Sequence, residues 1–226
     1  VWCWSVRLFN EKMTIQYCTN CVLPSCKPVT AKEGKKVTAL AANTINFQDG
    51  VCEACRWNII KENSIDWEAR EIELETLLNR YRSSDGSYDV IVPASGGKDS
   101  VYVSHILKHK YGMTPLTVTW APSLWTDQGR RNQENLVKSG FDNILISPNG
   151  EIHRLLTKLA FTKLGHPFQP FIFGQRSVGP KMALKHNVGL VFYGENVAEY
   201  GNPSEENYNP QMDVNLFTSY NINDPK

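Results

Sequence analysis

No cysteine follows Cys55 in this chain of 226 residues; Cys3, Cys18, Cys21, Cys26, Cys52 and Cys55 all lie in the first quarter. A disulfide scaffold would be shorter, secreted and stapled throughout its length. Val1–Asn10 has neither the long apolar centre nor the small-residue cleavage site of a secretory signal. Together these absences point to a reducing cytoplasm. Long hydrophobic runs are missing too: none approaches the roughly 20 residues that a membrane-spanning helix needs, so no membrane partner is expected. Charge of one sign is also missing. Lys plus Arg number 24 against 23 Asp plus Glu, which excludes a disordered polyelectrolyte. There is no basic stripe of the kind nucleic-acid binding usually shows, so no nucleic-acid partner is expected. Internal repeats and low-complexity tracts are absent, which removes solenoids.

What remains is an ordinary globular composition, 41% hydrophobic and 21% charged, enough to bury a core. The first methionine is Met13, so VWCWSVRLFNEK is either upstream sequence or part of the fold; residues 1–16 are read as a disordered or upstream extension. Residues 17–60 then carry CTNCVLP and GVCEACRW. Two residues between cysteines let both sulfurs turn inward on a tight knuckle, and two knuckles complete a tetrahedral thiolate set. Cys18, Cys21, Cys52 and Cys55 are the expected ligands. The metal is expected to be Zn²⁺, with an iron–sulfur cluster as the alternative. Cys26 stands outside both doublets. The insert KEGKKVTALAANTINFQDG is expected to form a loop or hairpin between the knuckles.

Residues 61–87 read as a helical connector. Ser64 is its expected N-cap, Asp66 and Glu68 fall in the first turn, and Ile65, Ala69, Ile72, Leu77, Leu78 and Tyr81 recur at helical spacing. From residue 88 to 226 the pattern alternates. Strands are expected at 88–93, 115–120, 142–147 and 189–196. Helices are expected at 100–112, about 126–139, 151–165 and about 176–186, with HPFQPF as a loop. Strands alternating with helical crossovers make an α/β fold: a doubly wound parallel sheet, with the four-cysteine module in front of it. The polar, Asn-rich final stretch is read as a possible incomplete end.

The first strand of this domain runs into Pro93, Ala94, Ser95, Gly96, Gly97, Lys98, Asp99 and Ser100. Two glycines let backbone approach an anion, two hydroxyls flank them, and a helix start supplies free N–H groups. The string is neither a Walker loop nor GxGxxG. SGGKDS resembles the PP-loop of the ATP pyrophosphatases. That resemblance implies binding of ATP, cleavage between its α and β phosphates, and the sheet order 3-2-1-4-5 with nucleotide across the carboxyl ends of strands 1, 2 and 4. Those ends are Pro93–Ser100, Trp120–Pro122 and Gly194–Asn196. Trp120 would line the adenine pocket or simply pack. Asp99 would hold Mg²⁺ on the pyrophosphate, and Lys98 would neutralise phosphate charge.

Six strings carry a narrower resemblance: CTNCVLP, GVCEACR, TWAPSLWTDQGRRN, SPNGEIHRLLTKLAF, HPFQPFIFGQ and VFYGENVAEYGNP. Over Tyr17–Pro203 they look like the N-acetyl sugar amidotransferases of surface-polysaccharide, including lipopolysaccharide, and flagellin-glycan biosynthesis. The long insert between the cysteine doublets departs from that pattern. The resemblance implies that the acetamido group of a nucleotide-linked N-acetyl sugar becomes an acetamidino group, with ammonia from a separate glutamine amidotransferase partner. Glu195, Asn196, Glu199 and Tyr200 would bind Mg²⁺ or steer the nucleophile, the alternative being ordinary loop polarity. Lys98, Asp99, Glu195 and Asn196 are thus the expected catalytic group. His153 and His166 are candidates for proton transfer or plain packing. Arg130, Arg131 and Arg176 would hold substrate phosphates or form a solvated face. The competing reading is an RNA-modifying PP-loop enzyme such as a tRNA thiolase. Thiolation generally requires cysteines in the catalytic domain, and this one has none.

Overall fold

A computed structural model describes residues 15–26 and 45–195. The sequence readings that fall on residues 1–14, 27–44 and 196–226, Asn196, Glu199 and Tyr200 among them, lie outside the described residues. Among the described residues no helix is long and apolar enough to cross a membrane. Those before Trp67 fall in one compact unit, and Trp67–Glu195 form another.

The first unit is built on turns. Asp49 and Gly50, at φ 52° and 77°, close a hairpin between β1 (Phe47–Gln48) and β2 (Val51–Cys52). Asp-Gly suits this turn because both central residues need positive φ. The described part of the insert is therefore hairpin. Cys52 then sits at the N-cap of α1 (Glu53–Asn63). Ser64, read from sequence as an N-cap, instead ends α1, donating its N–H to the Ile60 carbonyl at 2.9 Å. The next helix, α2 (Trp67–Arg80), starts three residues later. Local pattern could not separate two helices joined by three polar-edged residues.

The second unit is a mixed α/β layer structure. Strands β3 (Val90–Pro93), β4 (Pro115–Trp120) and β5 (Asp142–Ile146) are parallel in the order β3-β4-β5. On the free side of β3, Leu190 and Phe192 bracket Ile91 with two backbone hydrogen bonds of 2.9 Å, and Val191 forms a parallel bridge to it. Of the expected strand 189–196, the described residues 189–195 form this one bridge. Its neighbour on β3 gives the spatial order 3-2-1-4 among the described residues.

Alternation along β3 explains why both faces are covered. Val90 and Val92 pack with Leu78 of α2 and Leu107 of α3 (Lys98–His109). Ile91 points the other way, with Leu116 and Val118 of β4, onto Val178, Met182 and Ala183 of α6 (Gln169–His186). Consecutive strand side chains alternate faces, so a run of apolar residues must be buried on both. The polar members of β4 are buried without penalty. Thr117 Oγ1 donates to the Asp142 carbonyl, Thr119 Oγ1 donates to the Ala94 carbonyl, each at 2.6 Å, and Asn143 Nδ2 donates to both hydroxyls.

Helices α4 (Asp127–Lys138) and α5 (Gly150–Leu164) begin on side-chain caps from Thr126 and Asn149. Gly165, at φ 68°, closes α5. The sequence reading went wrong at α6, which starts at Gln169 within the stretch expected to be a loop. Pro170 occupies its first turn, where no N–H is required, so this proline opens the helix instead of breaking it.

Candidate functional site

Two groups of sequence-selected residues come together, one in each unit. In the first unit the Sγ atoms of Cys18, Cys21, Cys52 and Cys55 all lie within 4.8 Å of one another. Cys18 to Cys55 is 3.9 Å and Cys21 to Cys52 is 3.6 Å. A tetrahedron with metal–sulfur bonds of about 2.3 Å has edges of about 3.8 Å, so the donor set fits a zinc-sized tetrahedral ion. The local folds produce this spacing. The first knuckle closes with the Val22 N–H on the Cys18 carbonyl, and Thr19 N–H on the Gly50 carbonyl joins it to the hairpin. Burial opposes the thiolate of Cys18, but backbone N–H groups of Cys52, Cys21 and Asn20 outweigh it and hold that thiol down to about 6. Burial pushes the thiols of Cys52 and Cys55 up, and a bound cation would favour their thiolates by displacing the protons. Cys26 stands outside the group of four.

In the second unit the segment Pro93–Ser100 forms the turn from β3 into α3. Ala94 is tied to β4 from both sides: its N–H donates to the Val118 carbonyl and its carbonyl accepts from Thr119. Ser95, Gly97 and Lys98 are exposed beyond that anchor. Helix α3 starts at Lys98, two residues earlier than the sequence pattern indicates, with no side chain capping its first N–H groups. An uncapped helix start is a ready acceptor for an anion.

The glycines of the turn have different reasons. Gly96 has φ +79°, and a Cβ there would stand 2.9 Å from backbone atoms of Asn132 and Gln133 in α4. The fold itself demands glycine at that position. Gly97 has φ −73° and ψ 158°, which any residue adopts. A Cβ at 97 would meet only Ser95 Oγ, at 3.4 Å. Among the described residues no contact or backbone angle requires a glycine there, whereas a ligand approaching the backbone would.

Gly194 closes the other side. A Cβ at 194 would stand 2.8 Å from the Asp99 carbonyl carbon and the Ser100 nitrogen, so the chain after Val191 runs against the first turn of α3. The expected residues Asp99, Ser100 and Gly194 are therefore neighbours. Glu195 follows, exposed, as the last described residue. Lys98 and Asp99 form an ion pair that is open to solvent. Trp120 packs on α6 at Gly174, where a Cβ would fall 2.2 Å from the indole; its Nε1 is buried with no hydrogen-bond partner. Arg130 stacks over Trp125, 6.0 Å from the ring centroid. Arg176 offers its carbonyl to the Tyr193 hydroxyl. Nε2 of His153 and Nδ1 of His166 are buried without a partner.

One feature had no signal in the sequence. A cavity of about 710 Å³ opens beyond the carboxyl ends of β4 and β5, lined among others by Trp125, Arg154, Lys158 and Phe161. Its lining comes from three separate segments, so no local pattern could gather them.

No family model matches the chain, and no curated protein matches it. Among solved structures, NMN synthetase from Francisella tularensis is similar over 56% of this chain, at 16% identity and a TM-score of 0.42. The match covers 54% of that protein, so the chain spans about half its length.

Proposed function

We propose that this chain is an ATP-dependent, AMP-forming amidotransferase that converts the acetamido group of a nucleotide-linked sugar to an acetamidino group in surface-glycan biosynthesis. The observation that carries the nucleotide half of this reading is Gly97. It is a glycine without conformational or packing need, at the uncapped start of α3, between two serines. The sugar half is supported by the resemblance of the six sequence strings.

The chemistry suits the site. An amide oxygen is a poor leaving group. If it attacks the α-phosphorus of ATP, pyrophosphate departs and the oxygen becomes part of an adenylate. Ammonia then adds to the carbon, AMP leaves with the oxygen, and the product is an amidinium. In this scheme the N–H groups at the start of α3, with Ser95 and Ser100, hold the departing pyrophosphate. Lys98 exchanges its contact with Asp99 for phosphate oxygens. Asp99, released, and Glu195 would hold Mg²⁺, which would screen the phosphate charge. The four cysteines fit Zn²⁺ as a closed structural set with no open position for catalysis. Ammonia would come from a separate glutaminase subunit, because four of the six cysteines here form the proposed metal set and none lies in the loop's domain.

The test is nucleotide product analysis across a panel of nucleotide-linked N-acetyl sugars with ammonium as nitrogen source. AMP and pyrophosphate should form only when an acceptor sugar is present, and glutamine should substitute for ammonium only after a glutaminase partner is added. ADP as the product would refute the reading of the loop. Release of AMP with RNA, but not with any sugar nucleotide, would favour the RNA-modifying alternative.

A further inference from the structure

The cavity beyond β4 and β5 has a chemistry of its own. Arg154 and Lys158 lie four residues apart on α5, hence on one side of that helix. Both are exposed, and among the described residues neither has an ion pair. Among the described residues no aspartate or glutamate lines the space. Among the described residues, two cations without an ion-pair partner and without a lining carboxylate make a site for an anion with more than one charge. The other lining groups differ in kind. Trp125 and Phe161 supply flat apolar rings, and Ser123 and Thr157 supply hydroxyls. A ligand that uses both halves carries a phosphate group, a flat ring and a polar part between them. At about 710 Å³ the cavity is large enough for a whole nucleotide and lies within the ordinary range for small-molecule sites.

Position sets this cavity beside the loop, and the two share an edge: Ala121 and Pro122, at the end of β4, line the cavity and belong to the expected nucleotide edge as well. None of Pro93–Ser100 lines it. The loop follows β3, whereas the cavity follows β4 and β5, one and two strands further along the sheet. Strand spacing is about 4.8 Å, so a ligand there lies roughly 5–10 Å to one side of the loop. The carboxyl ends of parallel strands are also where ligands of such sheets collect.

We propose that this cavity is a second nucleotide site, taking a nucleoside diphosphate group, with Arg154 and Lys158 on the phosphates and Trp125 against the base. It deepens the reading of the preceding subsection by giving the acceptor's carrier a place, and it rests on that reading only for ATP as the ligand of the loop. The carrier would be gripped beside the loop while the sugar reaches toward it.

Binding can be followed without turnover, by calorimetry on the full chain with uridine diphosphate, inorganic pyrophosphate and a non-hydrolysable ATP analogue as probes. The double variant Arg154→Ala/Lys158→Ala should weaken uridine diphosphate at least tenfold and leave the ATP analogue within twofold. Gly97→Val should do the reverse. Trp125→Ala should weaken uridine diphosphate but not pyrophosphate. All the altered side chains except Trp125 are exposed, so thermal midpoints should stay near that of the parent. Loss of the ATP analogue in the double variant would make the cavity part of the loop's own nucleotide site and overturn the proposal. Equal binding of uridine diphosphate to parent and double variant would overturn it as well. Binding of uridine diphosphate with no binding of the ATP analogue to the parent chain would sustain the cavity site and defeat the ATP reading of the loop.

Discussion

Two adjacent glycines illustrate how the same residue answers to different causes. Gly96 sits in left-handed backbone against α4, so its glycine serves the fold. Gly97 has ordinary angles, and a Cβ there would make only an ordinary contact with Ser95 Oγ, so its glycine serves whatever approaches. Replacing each with alanine should separate the two. Gly96→Ala should cost about 2 kcal/mol or more, from left-handed strain together with the contact on Asn132 and Gln133. Gly97→Ala should stay within about 0.5 kcal/mol of the parent while weakening ATP-analogue binding at least tenfold. Urea unfolding and calorimetry on the same preparations check both. From sequence alone the two glycines were indistinguishable, because the difference lies in a helix some thirty-five residues downstream.

At the scale of the element, α6 shows how tertiary contact repairs a local fault. Pro180 lies inside this helix and cannot donate to the carbonyl four residues back, which belongs to Arg176. Tyr193 Oη donates to that carbonyl at 3.1 Å, from the segment that pairs with β3. Burial raises the Tyr193 phenol above its usual range, although the Arg176 cation acts the other way, so the hydroxyl stays a donor at neutral pH. Gly179 makes room: a Cβ there would stand 2.9 Å from Pro93 and 3.1 Å from the Tyr193 oxygen. Tyr193→Phe should therefore cost about 1 kcal/mol. In a Pro180→Ala background the helix can supply its own N–H, and the same substitution should cost clearly less. A double-mutant cycle in urea measures the difference, and additive losses would reject the coupling. A reading by pattern places Pro170 in a loop and Pro180 inside a helix. One opens the helix, and the other is tolerated because a residue thirteen positions later satisfies the carbonyl it orphans.

At the scale of the molecule, the two units rest on different forces. The described core of the first is small: Cys18, Ile45 and Cys52, flanked by Leu23, Phe47, Val51, Ala54 and Cys55. Three of its members are metal-ligand candidates, so their sulfurs cannot be simultaneously free thiols and a sufficient apolar core. The second unit has aliphatic clusters on both faces of its sheet. Chelation should therefore remove one metal per chain and abolish amide protection in the first unit, while β3, β4 and β5 keep theirs. Cys52→Ser should release the metal, and Cys26→Ser should leave it in place. Metal analysis with hydrogen exchange decides this; retained protection around Cys18 and Cys52 after complete metal loss would mean that packing alone suffices.

What the amino-acid sequence determined by itself is whatever depends on short spacing. The cysteine knuckles, the strand–loop–helix at Pro93–Ser100 and the parallel α/β alternation were all legible there, because each is a relation within a few residues. Tertiary structure decided the relations between distant segments. It divided the helices at Ser64, extended α6 back to Gln169, assigned separate reasons to Gly96 and Gly97, packed Trp120 onto Gly174 and gathered Trp125, Arg154 and Phe161 around one cavity. The physical reason is that a hydrogen-bonding or steric demand acts through space. The residue that imposes it need not stand near the one that satisfies it.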